Sequence, residues 1–213
     1  PQRDILQIEV PVDRPWITHQ AGEMELTITD FGAIGYSDYV WTREQPDGCR
    51  LTSAPQGFLF HGSVMMLRDN DYVADNAYGN ESSSNYDFTV LPEGHLTRVR
   101  DVEGHQIYEA MFTDFSCNIL QRTTSHSEQD NVVTFEYEVT NTENTSQRIR
   151  FGIYCDWDIR DAYANDVKYD PSTQFTYMTG DRGAAGIMSL SEYPVSGVRA
   201  VKNEEYVYNG FSD

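Results

Sequence analysis

Lysine and arginine are scarce in this chain: 15 residues of 213, against 34 aspartates and glutamates, for a formal net charge of −19. A surface this negative repels phosphate backbones and anionic headgroups, which argues against nucleic-acid partners and membrane insertion. Cysteine is also sparse. Cys49, Cys117 and Cys155 contain no CxxC pair, and their spacing suits neither zinc nor redox chemistry. Three thiols exclude a fully paired framework, although a single bridge such as Cys117 to Cys155 stays open. No apolar run has the length of a membrane span, and no signal peptide or lipidation motif occurs. The chain opens at Pro1 without a methionine and stops at Asp213 without a closing signal, so it is expected to be a piece of a longer polypeptide.

Catalytic signatures are missing too. There is no Gly-x-Ser-x-Gly elbow, HExxH, phosphate-binding loop or dinucleotide fingerprint. His19, His61, His95, His105 and His126 are scattered among polar neighbours, and nothing local pairs or orients them. They are expected at the surface or in turns, and no catalytic residue is assigned.

Aromatic and alternating sequence fills the rest. Tyr (14) and Phe (10) are prominent, and this weighting favours strands. Met24, Leu26 and Ile28 alternate with Glu25, Thr27 and Thr29, the pattern of a half-buried strand. Phe58–Leu67 is an apolar strand. The clearest segment runs from Val132 to Ile159. Val133, Phe135, Tyr137 and Val139 share one face, the chain turns at 141–146, and Ile149, Phe151, Ile153, Cys155 and Trp157 repeat the alternation. This pattern predicts an antiparallel hairpin with one face on a core. No stretch carries sustained helical periodicity. The fold expected is all-β, an antiparallel β-sandwich in a single large domain, with a jelly roll or a mutarotase-like supersandwich as its forms. Residues 1–21 read as a linker or edge strand and residues 22–213 as the sandwich.

One acidic cluster stands out. Asp156 and Asp158 project from the same face of an extended strand, about 7 Å apart at ~3.3 Å per residue, with Trp157 turned to the core. With Asp161 and Asp166 they form a candidate oxygen-rich site for calcium, the one metal or cofactor this sequence brings forward. The same pair also has the residue types of a glycosidase's two acids, and the plain alternative is a solvated strand end. A second acidic stretch, Asp69, Asp71 and Asp75, lacks the glycine and closing glutamate of an EF-hand and reads as a solvated loop. Tyr36, Tyr39, Trp41, Tyr163, Tyr169 and Tyr177 are candidates for a sugar-stacking platform.

Several stretches carry a resemblance. Residues 22–35 (Gly-Glu-Met-Glu-Leu-Thr-Ile-Thr-Asp-Phe-Gly-Ala-Ile-Gly), 57–62, 73–79, 135–141, 152–159, 185–187 and 206–211 resemble a region of large secreted bacterial proteins. Many of those proteins carry a subtilisin-like serine protease domain upstream. The resemblance spans roughly residues 22–211, and its more specific parts are Asp156-Trp157-Asp158 and Asp75-Asn76-Ala77-Tyr78-Gly79. It implies a secreted or cell-surface β-sandwich accessory domain, partnered by other domains of its own polypeptide and by a polypeptide or glycan ligand. It places no catalytic triad in this chain. A carbohydrate-binding module and a glycoside-active enzyme using Asp156 and Asp158 are the alternatives.

Overall fold

A computed structural model describes residues 8–11, 16–29, 32–35, 49–51, 58–68, 72–75, 88–89, 95–100, 105–114, 116–126, 128, 131–157, 159, 166–180 and 183–200. Every regular element among them is a strand, as the alternating pattern predicts, and the strands form three sheets.

Sheet A orders β1 (Ile8–Pro11), β9 (His95–Arg100), β10 (His105–Asp114), β11 (Cys117–His126) and β12 (Thr134–Asn141). Sheet B contains β2 (Trp16–Ala21), β3 (Met24–Thr29), β4 (Ala33–Gly35), β5 (Cys49–Leu51), β6 (Leu59–Arg68), β7 (Tyr72–Asp75), β8 (Phe88–Thr89) and β13 (Ile149–Trp157). Sheet C is the meander β14 (Asp166–Asp170), β15 (Phe175–Gly180) and β16 (Gly183–Met188). All pairings are antiparallel except β7 with β8.

Sheets A and B face each other, and strict alternation decides what they bury. On β11, Cys117, Ile119, Gln121, Thr123 and Ser125 are buried, while Leu120, Arg122, Thr124 and His126 between them are not. Tyr108, Ala110 and Phe112 of β10 join Ile119 against Ile17, Ile28, Val64 and Met66 of sheet B. Burial of each large apolar side chain there contributes about 1.5–3 kcal/mol. A second cluster, Leu26, Ile34 and Leu59, packs against Ile153, Cys155 and Trp157. A third, Phe58, Ile159 and Met178, fastens sheet C through Val167 and Ala185. Trp157 packs on both of these clusters and so ties sheet C to the sandwich.

The segment 132–159 differs from the predicted hairpin. Its two strands do not pair with each other. β12 pairs with β11 in sheet A, and β13 pairs with β6 in sheet B. β12 alternates as expected, and Val133, Phe135, Tyr137 and Val139 pack on the same interior as Ile149, Ile153, Cys155 and Trp157. Burial along β13 does not alternate, and Phe151, expected inward, is 37% exposed. Residues 142–148 are therefore an arch between two sheets rather than a tight turn within one. The physical reason is that β6 offers a long apolar edge partner which alternation within 132–159 does not reveal. Cys117 and Cys155 end up on different sheets and both remain thiols.

Candidate functional site

Asp156 lies on β13 opposite His61, next to a bulge: the register steps from Asp156↔His61 to Trp157↔Leu59, leaving Phe60 without a partner. Bulges at strand ends turn side chains away from the regular pleat. Asp166 opens β14 opposite Thr179, in a different sheet. Asp158 and Asp161 lie outside the described residues, as do Tyr36, Tyr39, Trp41, Tyr163 and the acidic stretch at 69–71. Asp75 ends β7, where the backbone alone is described. Among the described residues no three His, Cys, Asp or Glu side chains converge as metal ligands would. The expected inward turn of Trp157 is observed.

His19 departs from the expected surface position. It is fully buried between the sheets, with Nδ1 2.7 Å from Ser125 Oγ and Nε2 2.7 Å from Thr123 Oγ1. Its partners lie more than a hundred residues away, which is why its neighbours in sequence gave no signal. The two hydroxyls reach on to carbonyl oxygens, Ser125 Oγ to Gln106 Oε1 at 3.3 Å and Thr123 Oγ1 to the Tyr108 carbonyl at 3.4 Å. A neutral ring donates to one hydroxyl, which is then free to donate on to its carbonyl oxygen. It accepts the single proton of the other, so only one of the two onward hydrogen bonds forms at a time. Tyr108 meets the ring edge-on with centroids 5.0 Å apart. Burial lowers its pKa from 6.5 to about 4, so the ring is neutral at pH 7 and serves as a saturated core group.

His105 and His126 face each other across β10 and β11 with ring centroids 4.9 Å apart. His126 Nδ1 accepts from the Glu128 amide at 3.2 Å, so a neutral ring carries its proton on Nε2. That leaves His126 no nitrogen lone pair for a shared cation.

Deeper in the sandwich, Gln121 and Tyr137 are cross-strand neighbours. Both amide atoms of Gln121 and the Tyr137 hydroxyl are buried without a hydrogen-bond partner. Burial, with Cys155 nearby, pushes the Tyr137 phenol well above its usual pKa.

Two outward features remain. On sheet C, Phe175 and Tyr177 share a face and stack with centroids 5.0 Å apart and planes 15° apart. They lean over Gly186, where a Cβ would come within 2.9 Å of the Phe175 ring and 2.7 Å of Tyr177 Cβ. Tyr177 was among the platform candidates, and Phe175 was missed although it shares a face with Tyr177, whose cross-strand partner is Gly186. Tyr169 of the same candidate set lies on the opposite face.

The other feature is the flank where both sheets stop. β12 ends sheet A, and among the described residues β13 has no strand on its side away from β6. β12 presents Glu136 and Glu138 outward. On β13, Arg150 and Phe151 are exposed and residues 152–157 are half-buried, and a Cβ built on Gly152 would meet nothing within 4 Å. A glycine inside a strand weakens it and marks close approach of another group. The break it makes in the alternation of 149–157 was the sequence signal for this position.

No family model matches the chain, and comparison with curated proteins and with solved structures gave no match.

Proposed function

We propose that this chain is a non-catalytic accessory and interaction domain of a larger secreted bacterial polypeptide, one that also carries a subtilisin-like protease domain. The observation that supports it most is the flank of β12 and β13, where, among the described residues, neither strand has a further partner strand, the arrangement that strand addition uses. The link to a protease rests on the sequence resemblance across residues 22–211. Secretion accords with the acidic surface, and other domains of the same polypeptide are the first partners.

The test joins this domain to its neighbour in the parent reading frame. The neighbour's melting midpoint is expected to rise by several degrees, and the isolated domain to turn over neither peptide nor glycoside substrates. Turnover lost in Asp156→Asn would replace this reading with the glycosidase one. Calcium enters as an added stabiliser, examined in the same melts with calcium and with chelator.

A second reading, carbohydrate binding, is favoured by the parallel rings of Phe175 and Tyr177 above Gly186. Stacked aromatics on an outer sheet face suit the apolar faces of sugar rings. A glycan array on the purified domain decides it, with Tyr177→Ala expected to abolish any signal that belongs to this face.

A further inference from the structure

The arch between sheets A and B spends its polar groups on itself, with two exceptions. The Thr142 amide donates to the Ser116 carbonyl at 2.8 Å, and Gln147 Oε1 accepts from Ser116 Oγ at 3.1 Å, so both ends of the arch are held to the start of β11. Asn141 closes the loop between them. Its Oδ1 accepts from the Glu143 amide at 3.0 Å and its Nδ2 donates to the Thr145 carbonyl at 2.7 Å, the local bonding by which asparagine shapes a turn. Thr145 Oγ1 donates to Glu143 Oε2 at 3.3 Å. Asn144 and Ser146 are left over. Both are exposed, and among the described residues neither side chain takes a hydrogen-bond partner.

The two left-over residues stand in a defined chemical relation. Asn144-Thr145-Ser146 is an asparagine followed two residues later by a hydroxyl, with no proline between them, the pattern that oligosaccharide transfer to asparagine requires. Asn118, Asn131 and Asn141, the other asparagines among the described residues, are followed at that position by Leu120, Val133 and Glu143. The chain holds one further triplet of the kind, Asn80-Glu81-Ser82, outside the described residues. Only at Asn144 does the pattern coincide with a described, exposed loop whose acceptor amide and third-position hydroxyl are both free of internal bonds.

We propose that Asn144 is the acceptor of an N-linked glycan, carried outward on the arch. The proposal rests on the secreted part of the interaction-domain reading, because transferases of this class meet only chains that have crossed a membrane, and it is independent of the protease link and of the kind of cell. In the transfer, Asn144 Nδ2 bonds to the anomeric carbon of an oligosaccharide carried on a lipid diphosphate. The bond from that carbon to the diphosphate oxygen breaks with its electron pair on the leaving diphosphate, and the amide nitrogen gives one proton to a carboxylate of the transferase. The Ser146 hydroxyl is the group the transferase holds while this happens. Transfer acts on the extended chain, before the bonds of Asn141 close the arch. The folded arch then has to supply only room, and neither Asn144 nor Ser146 gives up a partner to carry the load. The glycan adds hydrophilic bulk beside the ends of β12 and β13.

Translating the full chain behind an export leader in the presence of microsomal membranes tests this. Enzymatic removal of the glycan leaves aspartate at each occupied asparagine, so peptide mass spectrometry reads Asn144 and Asn80 separately. Asn144 is expected to be occupied in the chains that the membranes protect from added protease. Ser146→Ala should abolish that occupancy and Ser146→Thr should keep it, since the transferase reads the hydroxyl. Asn144→Gln should leave the melting midpoint of the purified chain unchanged, because no partner is lost. A protected chain with Asn144 unmodified overturns the proposal, and so does occupancy that survives Ser146→Ala. A midpoint lowered by several degrees in Asn144→Gln overturns it too, since the side chain would then be packed rather than free. None of these results touches the interaction-domain reading, which stands or falls on the joined-domain melts and the turnover assays.

Discussion

The rings of Tyr137 and Phe151 meet with centroids 4.9 Å apart and planes tilted by 50°, one ring carried by sheet A and the other by sheet B. They lie on strands adjacent in sequence, yet they touch as opposite walls of a sandwich rather than as cross-strand neighbours. This contact marks the arch at 142–148, which closes one side of the interior. It also places a phenol hydroxyl where no partner reaches it.

Removing that hydroxyl should therefore help. An unpaired buried polar group costs about 1–3 kcal/mol, so Tyr137→Phe is expected to raise stability by about 1 kcal/mol and Gln121→Met by about 1–2 kcal/mol. The two residues are neighbours, so the double variant should fall short of the sum. Urea melts of the three variants check this, and a loss of stability in both single variants would show that the groups are satisfied in solution.

Acid should weaken the fold through His19. Its pKa is about 4 when folded and 6.5 unperturbed, so the unfolded chain binds the extra proton between those values. The neutral ring imposes no penalty above pH 6.5, and stability falls as pH drops from 6.5 to 4, by about 3 kcal/mol in all. Below pH 4 the loss levels off. Comparing His19→Gln with the parent chain isolates this limb from carboxylate titration: the parent's advantage should shrink by that amount across the window and stay flat above it.

Trp157→Ala should loosen two clusters at once, since the indole packs against Leu26, Ile34 and Leu59 on one side and Phe58, Ile159 and Met178 on the other. The ring is only partly buried, so a loss of about 2–4 kcal/mol is expected, or roughly 5–15 °C in melting midpoint. A drop of less than a couple of degrees would mean that sheet C is held by other contacts.

Gly186→Ala tests the outer face of sheet C. The added methyl would sit 2.5 Å from the Thr176 carbonyl oxygen and 2.7 Å from Tyr177 Cβ, neither of which is the loose end of a side chain. A loss of about 1–3 kcal/mol is expected. Amide exchange should show it first in 166–188, and unchanged protection there would contradict the packing of Phe175 over Gly186.

Much of this architecture is legible in the sequence. Alternation marked β3, β6, β12 and β13, and it predicted correctly the buried face of residues 133–139; in 149–157 Ile149, Ile153, Cys155 and Trp157 pack inward as expected while Phe151 is exposed. It did not reveal which strands pair. Period-2 patterns say which side of a strand is wet, while partners are chosen by edges that close far apart in the chain. His19 shows the same limit, since its polar setting is made by Thr123 and Ser125 of another sheet. Of the four carboxylates singled out, Asp156 lies on sheet B and Asp166 on sheet C, which meet at the cluster shared by Trp157 and Val167, while Asp158 and Asp161 lie outside the described residues.

The pairing of β6 with β13 has a consequence for synthesis. Leu59 finds Trp157, and Arg68 finds Ile149, only after β7 to β12 have been made. At typical elongation rates that interval is on the order of ten seconds, during which a ten-residue strand waits with one edge unsatisfied. Val64 and Met66, which end in the core, are exposed on the nascent chain for the same time. How long this stretch stays exposed is thus fixed by where its partner lies in the reading frame.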